Sequence, residues 1–120
     1  MYALVQTTLA VMPDSLNQLA RRLQEFADAR HWAPFHSPKN LASALVVEAG
    51  ELLEHFQWLT EDQSRHLDAS KKQAVAHEMA DVLLYLVQLS SALGVDLIAA
   101  GGEKMAINAR KYPVDVRDGQ

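Results

Sequence analysis

A chain of 120 residues with 49% hydrophobic content is long enough for one domain with a modest core. Eleven Lys and Arg against fifteen Asp and Glu leave a formal net charge of -4, so no basic stripe is available to drive binding to a nucleic-acid backbone. The absence of cysteine excludes disulfides and thiolate metal sites, which agrees with a cytoplasmic setting.

Met1 to Pro13 reads as an irregular arm. It is fairly apolar but has no Lys or Arg, so a signal peptide is not expected. Asp14 or Ser15 can cap a first helix in which Leu16, Leu19, Leu23 and Phe26 form an apolar stripe, and that helix should end near Arg30. His31 to Asn40 then packs two prolines, two aromatic rings and two histidines into ten residues. This is a loop with a heavy aromatic load. Trp32, Phe35 and His36 there, with Trp58 further on, could stack on a nucleobase or serve as a satellite core.

Ser37 or Asn40 can start a second helix running to about Trp58. It carries Glu48-Ala49-Gly50-Glu51. Thr60 to Ser70 is polar and connecting. Ser70 can cap a third helix with Glu78-Met79-Ala80-Asp81, which ends at Leu93 with Gly94 as a left-handed terminator. Nine of the twelve residues from Val82 to Leu93 are apolar or Tyr, on all sides of the helix, which predicts burial on more than one face and hence an oligomer. The longest uncharged stretch, Val82 to Val95, has 14 residues and is too short for a membrane span, which needs about 20. Asp96 caps a fourth helix, and Gly101-Gly102 in its middle predicts close packing or a break. Lys104, Asn108 and Lys111 give it one polar face before Tyr112-Pro113 stops it, leaving a loose tail. The expectation is an all-α, four-helix bundle protomer in a single domain 1–120, with an arm over 1–13, a helical core over 14–112 and a tail over 113–120.

The two acidic pairs are the anomaly. Carboxylates three residues apart share one helix face, and here that face is the apolar one. Leu41, Leu45, Leu52 and Phe56 run along it in the second helix, with Glu48 on the same stripe; Val75, Met79, Val82 and Leu86 do so in the third, beside Glu78 and Asp81. Two like charges about 6 Å apart repel by about 3 kcal/mol at an effective dielectric near 20. Four such groups need cationic compensation, either a divalent metal or Lys and Arg from elsewhere, such as Lys104, Arg110 and Lys111. An all-oxygen donor set suits Mg2+ or Mn2+ rather than Zn2+. The Glu-x-x-His motif of di-iron bundles is missing, because Glu51, Glu54 and Asp81 stand where the histidines would be. The Lys104, Asn108 and Lys111 face would suit phosphate oxygens, or it is a solvated helix end whose cations favour the dipole. Tyr85, one turn past Asp81, could reach a ligand held there or simply pack.

Taken together, Trp32-x-x-Phe35-His36-x-Pro38-Lys39-Asn40-Leu41, Glu48-x-Gly50-Glu51-Leu52, Phe56-Gln57-Trp58, Glu78-x-x-Asp81-Val82-Leu83-x-Tyr85-Leu86 and Lys104-Met105-x-x-Asn108-x-x-Lys111-Tyr112-Pro113 resemble the MazG-like all-α nucleoside triphosphate pyrophosphatases and, within them, the dCTP pyrophosphatase group. The resemblance spans about Leu16 to Pro113. It implies a Mg2+-dependent hydrolase that converts a (d)NTP, dCTP or a modified cytosine nucleotide, to the monophosphate and diphosphate in house-cleaning of the nucleotide pool. It also implies a homodimer or homotetramer with sites between protomers. By position, Glu48, Glu51, Glu78 and Asp81 would hold Mg2+ and act in catalysis. Lys104, Asn108, Lys111 and Tyr112 would contact the triphosphate. Trp32, His36, Trp58 and Tyr85 would shape the base and sugar pocket, with Lys39 and Asn40 nearby. No nucleic acid or membrane partner is expected. The competing reading is a non-catalytic helical oligomer that binds a nucleotide or a partner helix.

Overall fold

The computed structural model describes residues 15–115, and the expected N-terminal arm and the end of the tail lie outside that range. The described residues are helical, with no strand among them. The order is α1 (Leu16–Ala29), a 3-10 turn (Ala33–Phe35), α2 (Pro38–Glu54), a short α3 (Glu61–Arg65), α4 (Ala69–Leu93) and α5 (Leu97–Lys111).

Local chemistry explains the boundaries. The Ser15 hydroxyl accepts from the Gln18 amide and starts α1, and Ser37 does the same for Asn40 at α2, where Pro38 occupies the first turn at no hydrogen-bond cost. Asp96 caps α5 through the Ala99 amide. Gly94 closes α4 at φ 66, a left-handed conformation that suits glycine. Three details differ from the expectation. α4 starts two residues earlier than Ser70 predicts, because the Asp68 carboxylate caps it by accepting from the Lys71 amide. The polar connection contains α3, held by a reciprocal capping box between Thr60 and Gln63. α2 stops at Glu54 and the chain continues through turns to Trp58.

The main packing is α2 against α4, with α1 laid on α4 as well. Ala27 from α1, Leu41 from α2, and Val75 and Val87 from α4 are the buried apolar side chains among the described residues, with Leu41 and Val87 almost fully enclosed. Leu45 and Leu52 along α2, and Phe56 in the turns beyond it, are half-buried on the expected stripe. In α4 the inward position falls on Glu78, while Met79 is turned outward and is 57% exposed. α5 leaves the others at a 99° bend from α4 and buries none of its residues. Its helix runs unbroken through Gly101 and Gly102. A Cβ at either glycine would touch nothing within 4 Å, so neither close packing nor a break occurs there within this chain. No single helix among the described residues is long and apolar enough to cross a membrane.

Candidate metal and nucleotide site

The α2–α4 contact brings Glu48, Glu78 and Asp81 together. One carboxylate oxygen from each lies within 4.8 Å of the others. All three residues are half-buried, and Oε2 of Glu48 and Oε2 of Glu78 are enclosed with no hydrogen-bond partner. Two buried carboxylate oxygens without a donor are costly unless a proton or a cation joins them. Burial, hydrogen bonding to Glu51, the charges of Glu51 and Asp81, and hydrogen bonding to Glu78 push the Glu48 carboxyl up to about 7. Glu51, one turn on from Glu48 along α2, adds its charge to that of the three converging acids. Among the described residues, Arg65 pairs with Glu61 and His66 approaches Asp62, both away from this cluster. The alternative expectation of a network with Lys104, Arg110 and Lys111 is not realised among them.

The donor set fits a hard divalent cation. It is all oxygen, and it leaves lone pairs unused on two buried atoms.

A cavity of about 140 Å³ adjoins the cluster, and Asp81 belongs to both. Leu23, Phe26, Trp32, His36, Leu84, Tyr85 and Gln88 complete its lining. The wall is built by local means. His31 takes a positive φ of 56, uncommon for a residue with a Cβ, which lets Trp32 fold back so that its amide donates to the Ala27 carbonyl at 3.1 Å. The Trp32 ring then meets Phe26 edge-on at 5.6 Å and His36 at 5.8 Å. Arg30 caps the row, its guanidinium 3.4 Å above the Phe26 ring.

The residues anticipated from the sequence divide into two groups. Glu48, Glu78, Asp81, Trp32, His36 and Tyr85 come together within this chain, with Glu51 one turn along α2 from Glu48. Asn40 stands beside them in a supporting role, donating from Nδ2 to the Phe35 carbonyl at 3.2 Å and so tying the aromatic turn to the start of α2. Lys39 is exposed in the first turn of α2. Trp58 is 86% exposed and does not line the cavity. Lys104, Asn108, Lys111 and Tyr112 all lie on or just beyond α5, facing solvent. Phe26, Leu84 and Gln88 are lining residues that the sequence reading did not place there. For Leu84 and Gln88 a signal existed, since they lie three and seven residues after Asp81 on the same helix.

A family model described as the MazG-like family matches residues 44–120. Human dCTP pyrophosphatase 1 is 45% identical over 101 residues, which are 82% of this chain and 59% of that protein. The mouse protein of the same name is 42% identical over 107 residues, covering 88% and 63%. This chain therefore spans about three fifths of the length of these relatives. A crystal structure of a pyrophosphatase from Archaeoglobus fulgidus is similar with a TM-score of 0.79 and 39% identity, over 87% of this chain and 97% of that one.

Proposed function

The chain belongs to the MazG-like family, and from that premise we propose that it is a nucleoside triphosphate pyrophosphohydrolase, converting a (d)NTP and water to the monophosphate and diphosphate. The observation that carries this reading is the convergence of three carboxylates from two helices on one point, beside an aromatic-walled cavity to which one of them also belongs. The names of the human and mouse relatives support dCTP as the substrate; a modified cytosine deoxynucleotide, and nucleotide-pool house-cleaning as the role, belong to the same proposal.

Glu48, Glu51, Glu78 and Asp81 would hold Mg2+, with Mn2+ as a substitute. When bound, the metal supplies neutralisation of phosphate charge and a lowered pKa for water. The remaining chemistry belongs to the chain. Trp32 offers a ring face for a base, while His36 and Tyr85 offer polar contacts to base or sugar. Because Asp81 joins the cavity to the acidic cluster, a nucleoside bound in the cavity has its 5' phosphates directed at the carboxylates. The aromatic wall excludes water from the nucleoside end. Glu48 holds a proton near neutral pH in the metal-free protein and must give it up before the four acids can act together as ligands.

The phosphate contacts are proposed to come from a second copy. Lys104, Asn108, Lys111 and Tyr112 are solvent-facing on a helix that turns away from the cluster, and Trp58 is equally exposed. Val46, Leu53, Met79, Ile98 and Met105 are each more than half exposed, an apolar surface that a homodimer, or a tetramer built from dimers, would cover. Pyrophosphate release across a panel of dNTPs, with Mg2+ and with EDTA, tests the reading. Mg2+-dependent turnover of at least one of them is expected, and none on any nucleotide would leave a binding protein instead.

A further inference from the structure

Gln88 is a polar group in the cavity that the reading above does not use. It sits on α4 seven residues after Asp81 and three after Tyr85, so the three side chains share a face. It is half-buried, in a helix segment otherwise dominated by Leu and Val, and Leu84, Leu86 and Leu89 are its near neighbours in sequence. A residue needed only for packing here would be apolar. Its Nε2 lies 3.4 Å from His36 Nδ1, a contact joining the aromatic turn to α4 in the cavity lining.

The lining otherwise offers few groups that can read a base edge. Leu23, Phe26, Trp32 and Leu84 present apolar surface, Asp81 faces the acidic cluster, and Tyr85 brings a single hydroxyl. A primary amide differs in kind, because it carries a carbonyl acceptor and an NH2 donor side by side. With Nε2 donating to Nδ1, His36 is held with its own proton on the other ring nitrogen, and Oε1 of Gln88 is the atom left to accept from a ligand.

We infer that Gln88, oriented by His36, is a specificity-determining residue: its Oε1 accepts a hydrogen bond from the exocyclic amino group of a 4-aminopyrimidine and disfavours a pyrimidine carrying a carbonyl at that position. The inference rests on the nucleotide reading of the same cavity. Its physical basis is asymmetric. An amino group facing Oε1 satisfies both partners, whereas a carbonyl facing it leaves two acceptors opposed and both without a donor. Trp32 and the apolar walls hold either base equally well by stacking, so the discrimination falls to the amide.

The test is calorimetric titration of the full chain, with Mg2+, using dCMP and dUMP, which share the sugar and phosphate and differ at the pyrimidine edge. The wild type should bind dCMP at least about tenfold more tightly than dUMP. Gln88→Met keeps the length of the side chain without its hydrogen bonds, and should bring the ratio to within about threefold by weakening dCMP alone. Gln88→Glu keeps an acceptor in place and should retain the preference for dCMP. A wild-type ratio in Gln88→Met, no preference in Gln88→Glu, or no binding of either nucleotide by the wild type each overturns the inference. Pyrophosphate release from dCTP, measured in parallel, separates the two claims. Preference for dCMP without turnover sinks the hydrolase and leaves Gln88 standing, whereas turnover with a ratio indifferent to Gln88→Met sinks Gln88 alone.

Discussion

Glu48 on α2 and Asp81 on α4 present carboxylate oxygens within 4.8 Å of each other, across the contact that forms most of the fold. The packing that builds the protein and the packing that builds the site are therefore one interface. Helix pairing forces acids together that would separate in an unfolded chain, and the enclosed Oε2 atoms of Glu48 and Glu78 record the cost.

Replacing either end of that relationship should separate activity from folding. Glu48→Gln and Asp81→Ala are each expected to lower pyrophosphate release by at least about 100-fold, since metal-site partners one step removed already cost 10–100-fold. Circular dichroism should show unchanged helix content. Metal-free Glu48→Gln should melt no lower than the wild type, because the substitution removes one of the crowded charges.

The same crowding sets a pH dependence with a definite sign. Glu48 titrates near 7 in the folded chain against an ordinary value of 4.5, so between these values the folded state holds a proton that the unfolded state has lost. Stability of the metal-free protein should therefore be greatest at the acid side of this window and fall as pH rises from about 4.5 to 7. Mg2+ should reverse the loss at pH 7.5, and its affinity should rise with pH across the window as the proton is displaced. Melting curves at pH 5, 6, 7 and 8, with Mg2+ and with EDTA, measure both effects. A stability of the EDTA-treated protein that rises with pH over this window would show that the acids are not confronted as described.

Trp58 offers a different contrast. At 86% exposure its removal touches nothing that holds the protomer together. Trp58→Ala should change stability within the folded protomer by no more than about 0.5 kcal/mol, yet raise KM for the nucleotide, because the ring is expected to reach a site only in an assembly. Lys104→Ala should behave alike. Steady-state kinetics beside urea denaturation distinguish this from a purely surface role, in which neither measure moves.

Assembly itself can be read by sedimentation. Val46, Met79 and Met105 lie in the exposed apolar surface, and Met105→Glu or Val46→Glu is expected to shift the protein from an oligomer towards the monomer, with loss of turnover. A wild type that sediments as a monomer of 13.3 kDa and is fully active would place the phosphate contacts within one chain.

The core is thin enough that a single truncation should be felt globally. Leu41 is 2% exposed at the junction of α2 with α1 and α4, and Leu41→Ala should cost about 2–5 kcal/mol in chemical denaturation. For a domain whose total stability is of the order of 5–15 kcal/mol, that is a large share.

What could be read from the sequence follows the range of the interactions involved. Helix ends at Ser15, Ser37, Gly94 and Asp96 depend on hydrogen bonds to residues three or four away, so the local string determined them. Asp68 superseded Ser70 by the same local rule, because a carboxylate two residues earlier satisfies the same kind of free amide. The periodicity also identified Glu48, Glu78 and Asp81 as acids on apolar faces, since helical spacing alone places them there. It could not say which of Glu78 and Met79 turns inward: adjacent residues differ by only about 100° around a helix, and the rotation of α4 is chosen by packing against both α1 and α2. Nor could it pair His36 with Gln88, 52 residues apart, or show α5 standing clear of the other helices at 99°. Those are consequences of how whole helices sit against one another, and only the tertiary structure decided them, because burial is a property of neighbours that the chain brings from a distance.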